Sequence, residues 1–146
     1  MNLLRFLIPK SQVSYLEETA SVRNGLEKLR HHGFTAIPVI AKDGTYVGTV
    51  TEGDFLWMIL AQGECEPKLL EKRRVSDLIR RNWNPPVKVS ETMEQLISRL
   101  TEQNFVPVVD DRGVFVGIVT RRAVLGSILL PRVTDNLQSV HSSETV

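Results

Sequence analysis

The residues best suited to chemistry lie in the stretch Gly48-Thr49-Val50-Thr51-Glu52-Gly53-Asp54, where an apolar segment passes into a helical pattern. Thr51 falls at a helix N-cap and Asp54 three residues on, a variant capping box with Asp in place of the usual Glu or Gln. The same geometry suits a second role. A strand-to-helix turn presents backbone N–H groups at the positive end of a helix dipole, where a phosphate binds. A carboxylate beside it accepts hydrogen bonds from ribose hydroxyls. Both readings use the same two residues.

The stretch occurs again, altered, as Gly117-Ile118-Val119-Thr120-Arg121-Arg122-Ala123. Thr120 keeps the cap, but Ala123 stands where the acid was. Two arginines occupy the first helical turn, where the dipole disfavours a cation by about 0.3–1 kcal/mol. Either their long side chains reach away to acids and solvent, or a bound anion sits between the helix end and Arg121 or Arg122. Forked guanidinium donors suit a phosphate.

Nothing else along the chain points to catalysis. His31 and His32 are adjacent at a helix end, as C-terminal cap residues would be, and His141 is in the polar tail. No set of Cys, His and carboxylates has metal-ligand spacing, and no serine is flanked as a nucleophile elbow requires. The expectation is a binding module, not an enzyme, with no required cofactor.

The elements that must position these turns are duplicated. At a constant offset of 69 residues, Pro38-Val39 meets Pro107-Val108, Gly44 meets Gly113, Val47-Gly48 meets Val116-Gly117, and Val50-Thr51 meets Val119-Thr120. Each copy reads as a short strand, around Val13–Leu16 and Pro86–Val89, followed by an amphipathic helix. A hairpin comes next, Ala36–Ile40 with Tyr46–Val50 and Phe105–Val109 with Val114–Val119, turned at Asp43-Gly44 and Arg112-Gly113. A second helix closes each copy, carrying Phe55 to Leu60 in the first and Val124, Leu125, Ile128 and Leu129 in the second. One copy of this size is marginal alone, so the two are expected to pack about a pseudo-twofold axis. Repeat boundaries are expected at 5–62 and 84–130. Residues 63–83 read as a polar linker whose basic pairs Arg73-Arg74 and Arg80-Arg81 would share a helix face, and 131–146 as a frayed tail. Trp83 suits an exposed interface, and Trp57 is expected in the core.

Composition bounds the partners. The 146 residues are 42% hydrophobic and 24% charged with a formal net charge of +1, which gives no basic footprint for nucleic acid. Cys65 is the single cysteine, an inert small side chain on this reading, so no intrachain disulfide is possible and a reducing, cytoplasmic setting is expected. The apolar opening is cut by Pro9, far short of a membrane span.

With the duplicated hairpins and the Gly48…Thr51…Asp54 turn in view, the chain over residues 5–130 resembles the CBS family, named after the regulatory domain of cystathionine β-synthase. The segments Ile37-Pro38-Val39 and Val106-Pro107-Val108 are as that family writes them. The resemblance implies an α/β (α+β) fold of two tandem β-α-β-β-α repeats, a disc-like homodimer, and adenine-nucleotide binding in clefts that mix the turn of one repeat with the first strands of the other. It places Thr51 and Asp54 on ribose and phosphate, with Pro85, Asn104, Phe105 and Val106 framing the base. The second cleft would combine Thr120, Arg121 and Arg122 with Ser14, Thr35, Ala36 and Ile37. The Thr-Arg-Arg turn is similar to that of stand-alone CBS pairs that bind cyclic di-AMP, which makes cyclic di-AMP a candidate beside AMP, ADP and ATP. Signalling would then need an unidentified regulated protein. The rival reading is a ligand-free dimerisation or interaction module with vestigial clefts.

Overall fold

In the computed structural model, which describes residues 2–63 and 67–128, each copy folds as a small sheet covered by helices. In chain order the elements are β1 (Ile8–Pro9), β2 (Leu16–Glu17), α1 (Val22–His32), β3 (Ala36–Ile40), β4 (Tyr46–Thr51), α2 (Glu52–Gln62), α3 (Pro67–Lys72), β5 (Val87–Lys88), α4 (Met93–Leu100), β6 (Phe105–Val109) and β7 (Phe115–Thr120). A last helix, α5, covers residues 121–128. The expected α/β architecture of two tandem repeats is what the chain adopts.

The first sheet has the order β2-β3-β4 and the second β1-β7-β6-β5. In both, a two-residue strand runs parallel to the first hairpin strand, Leu16 beside Val39 and Val87 beside Val108. The hairpins are antiparallel, with Ile37 opposite Val50 and Val106 opposite Val119. Gly44 and Gly113 turn them with φ of 93° and 81°, a region glycine enters without a Cβ penalty. The two hairpin tips then join the sheets. Tyr46 N donates to Gly113 O at 3.1 Å, and Phe115 N donates to Gly44 O at 3.0 Å. These bonds exchange under the 69-residue offset, so the pseudo-twofold axis passes between them.

Each sheet has its own apolar core, and each core takes in chain from outside its repeat as drawn from sequence. Leu3 and Phe6 are buried with Val87, Leu96, Val106 and Val119 of the second repeat. Val75 is buried with Leu16, Val22, Ile37, Val50 and Phe55 of the first. The opening residues therefore complete the second repeat and the linker completes the first. Gly117 makes the docking of the opening segment possible, because a Cβ there would overlap the carbonyl oxygen of Ile8.

Several local expectations are corrected. The first strand of copy one is Leu16–Glu17 rather than 13–16, since only those residues reach the ladder of β3. Val114 lies outside β7 and forms an isolated bridge to Thr45. The basic pairs do not share a helix face: α3 ends at Lys72, Arg73 pairs with Asp77, and Arg80 pairs with Asp54. Trp57 is 70% exposed, because Phe55 and Met58 take the inward face of α2 and leave Leu56, Trp57 and Leu60 on the outer one. Among the described residues, no helix is long and apolar enough to cross a membrane. Cys65, Leu129 and the 131–146 tail fall outside the described residues.

Candidate functional site

The two strand-to-helix turns are built alike. Thr51 Oγ1 accepts from Asp54 N at 3.3 Å, and Thr120 Oγ1 accepts from Ala123 N at 3.1 Å. The first helical amide in each is also taken, Glu52 N by Thr35 O at 2.9 Å and Arg121 N by Asn104 O at 2.8 Å. These matched bonds tie the start of each hairpin to the helix that follows it. They leave the amides of Gly53 and Arg122 as the helix-end donors not taken up by a described residue, one per turn, in the position where an anion would meet them.

Both turns open into one cavity of about 620 Å³ between the repeats. Volumes of roughly 300–1,000 Å³ are usual for small-molecule sites. Of the residues picked out from sequence, Ser14, Thr35, Ala36, Thr51, Asn104, Phe105 and Thr120 line it. Ile37 and Val106 point into the two cores and are fully buried. Pro85 lies outside the lining, its carbonyl accepting from Arg99 at 3.2 Å. Thr51 and Thr120, expected at different clefts, both line this one cavity.

The charged candidates are placed differently. Asp54 does not line the cavity. Its Oδ2 accepts from Thr51 N at 2.8 Å and from Thr51 Oγ1 at 3.0 Å, and its Oδ1 lies 2.8 Å from Arg80 Nε. The capping box anticipated from sequence is therefore formed, with an ion pair added. Arg121 turns back onto the end of α4, its Nε donating to Leu100 O at 2.6 Å and its Nη2 to Thr101 O at 3.3 Å. This satisfies orphan carbonyls at a helix C-terminus, where a cation is favoured. Arg122 is exposed and, like Arg121, is not among the residues that line the cavity. The described lining includes Glu52 and Glu102 but neither lysine nor arginine.

Among the lining residues not anticipated for the site are Trp83 and Asn84. Asn84 is 3% exposed with φ of 51°, in the left-handed region where asparagine is among the few tolerated residues. Its carbonyl accepts from the Tyr46 hydroxyl at 2.9 Å and its Nδ2 lies 3.3 Å from Thr49 Oγ1. Tyr46 and Thr49 hydroxyls are 2.7 Å apart. Burial pushes the Tyr46 phenol well above its ordinary value. This small polar knot fixes the bend that delivers Trp83 to the cavity wall, where Arg80 lies over its ring at 4.2 Å from the centroid. A sequence signal existed in the pair Asn82 and Asn84, both with positive φ, flanking the tryptophan.

The duplicated hairpins, the exchanged end segments and the shared cavity define a tandem pair of a known domain. The chain belongs to the CBS domain family, whose domain matches residues 7–61 and 75–130. It is similar to CbpB solved in complex with c-di-AMP, at 26% identity and a TM-score of 0.82, covering 93% of this chain and 91% of that one. The CbpB protein of Listeria monocytogenes in complex with c-di-AMP is 28% identical with a TM-score of 0.77, over 86% of this chain and 93% of that one. CBSX2 in complex with AMP is 29% identical with a TM-score of 0.72, over 90% and 98%. An uncharacterised protein of Methanopyrus kandleri, MK0525, is 26% identical over 67% of this chain, which spans only 48% of that relative. For the A-adding tRNA nucleotidyltransferase of Aquifex aeolicus the span is 13%.

Proposed function

We propose that this CBS pair is a non-catalytic regulatory module that binds an adenine-containing nucleotide in the cavity between its repeats and signals occupancy to a partner protein. The observation that carries the reading is that both threonine-capped turns, each with one unclaimed amide, face the same cavity. A ligand with two phosphates reaches both, which puts cyclic di-AMP ahead of AMP, ADP and ATP. Phe34, Trp83 and Phe105 on the wall offer faces for adenine to stack on. Arg122, two residues after the lining Thr120, would supply positive charge that the lining lacks. The solved relatives with c-di-AMP and AMP support this choice of ligand class.

The module acts as a homodimer in this reading. Leu56, Trp57 and Leu60 on α2 and Leu125 and Ile128 on α5, the corresponding helices of the two repeats, are 47–70% exposed, with Leu56 and Leu125 at equivalent positions. Outward apolar faces of this kind suit a second copy. A nucleotide messenger places the protein in the cytoplasm.

The second reading, an interaction module with an unused cavity, is favoured by the acidic Glu52 and Glu102 in a lining without a base. Thermal denaturation separates the two. A ligand that binds only the folded state at 100 times its Kd stabilises by about 2.7 kcal/mol. A rise in Tm with cyclic di-AMP, absent in Arg122→Ala, supports the sensor. No shift with cyclic di-AMP, AMP or ATP at millimolar concentration leaves the interaction module.

A further inference from the structure

The two halves of the cavity are equivalent by duplication but not by chemistry. In the hairpins the copies are 69 residues apart, so Asp54 corresponds to Ala123. Before the first helix of each repeat the offset is 71, as Leu16 beside Val39 and Val87 beside Val108 show, so Trp83 corresponds to Gln12 and Arg80 to Pro9. The first turn therefore has an acid, an arginine and an aromatic wall where the second has an alanine, a proline and a glutamine.

Arg80 touches both of the other two. Arg80 Nε lies 2.8 Å from Asp54 Oδ1, and its guanidinium covers the ring of Trp83, which lines the cavity. Asp54 has an 8% exposed side chain, whereas Arg80 is half exposed. A carboxylate offers about four acceptor positions. Here three are filled, two by Thr51 and one by Arg80. A ribose diol needs two acceptor sites on one carboxylate, so it binds Asp54 only by displacing Arg80. That displacement also removes the cation from the face of Trp83.

We propose that Arg80, which lies outside the cavity but holds Asp54 and covers Trp83 of its wall, is a specificity-determining residue: it keeps Asp54 engaged so that the Thr51 turn rejects ligands gripped through a ribose diol. The inference rests on the nucleotide reading above and adds the basis of its selectivity. Recognition then falls on the phosphates and bases, at the Thr120 end beside Ser14 and Thr35, where no side chain plays the part of Arg80. A cyclic dinucleotide, whose ribose 3′ oxygens are esterified, does not need Asp54. A linear nucleotide with a free diol does.

The test is a calorimetric titration of the full chain with AMP and with cyclic di-AMP, in the wild type, Arg80→Ala, Asp54→Asn and the double variant. Circular dichroism melts establish that each is folded. The expected result is that Arg80→Ala tightens AMP binding at least tenfold, that the gain vanishes in the double variant, and that cyclic di-AMP binding changes little. Arg80→Lys, which keeps the charge on Asp54 without planar cover for Trp83, should show a smaller gain. AMP binding to the wild type that Asp54→Asn abolishes would overturn the proposal. So would an unchanged AMP affinity in a folded Arg80→Ala. If the wild type binds neither ligand but Arg80→Ala binds AMP through Asp54, the role of Arg80 stands and the native nucleotide-sensor reading falls.

Discussion

Thr51 and Thr120 cap different helices, 69 residues apart in sequence, and yet line the same cavity. The duplication accounts for this: each threonine ends a hairpin strand, and the reciprocal bonds at Gly44 and Gly113 turn the two hairpins about a common axis. A module built this way brings two helix ends to one cavity. The two turns differ in sequence, Asp54 against Ala123 and Glu52 against Arg121.

Docking of the opening segment depends on one glycine. Gly117→Ala forces a Cβ against the backbone of Ile8 and is expected to cost about 1–3 kcal/mol, as overpacking does. Gly126→Ala meets nothing within 4 Å inside α5 and is expected to stabilise by about 0.5–1 kcal/mol through helix propensity. Urea midpoints of the two variants should move in opposite directions.

The bend at Trp83 is held by Asn84. Asn84→Ala places alanine at φ of 51° and removes the amide from Thr49, so stability should fall by about 1–3 kcal/mol. Asn84→Gly keeps the conformation without the amide and should lose less. Both should weaken nucleotide binding, since Trp83 no longer has a fixed place on the wall. Chemical denaturation and titration check the two effects separately.

Stability should decline in alkali through Tyr46. Its buried phenol is raised above the ordinary value of 10.0, so below that pH both folded and unfolded chains keep the proton and the group adds no pH dependence. Above it the unfolded phenol ionises while the folded one does not, and folding is progressively disfavoured as pH rises toward the folded value. Tyr46→Phe should be less stable at neutral pH, having lost its bonds to Thr49 and Asn84, but should show a shallower alkaline decline. Melts between pH 8 and about 11 would measure both, the window following from the tyrosine reference value.

Association should depend on the outer helix faces. Leu56→Glu with Leu125→Glu puts a charge on each and is expected to convert a dimer to monomers without loss of helical signal, as read by light scattering and circular dichroism. An unchanged mass in the double variant would place the contact elsewhere.

The hairpins were legible because their β-branched residues and glycine turns are local signals, repeated twice. Strands β3 and β6 fall on the residues anticipated. The Thr51–Asp54 box was equally local. What local signals do not carry is the partner of each group. Arg80 reads as part of a charged linker, and only tertiary folding brings it 26 positions back to Asp54. Arg121 reaches neither an acid nor an anion but the carbonyls at the end of α4, a partner that only tertiary folding supplies. The linker hid Val75 among charges, although its burial completes the first core. Trp57 was misplaced because an apolar run on a helix has two faces, and only Phe55 and Met58 could take the inner one.

The central claim is that one nucleotide occupies the shared cavity, and a calorimetric titration of the purified chain with cyclic di-AMP tests it most directly. The account predicts saturable binding at one ligand per chain, lost in Arg122→Ala and weakened in Thr120→Val. Absence of heat at ligand concentrations up to millimolar, or binding that neither substitution alters, would contradict it.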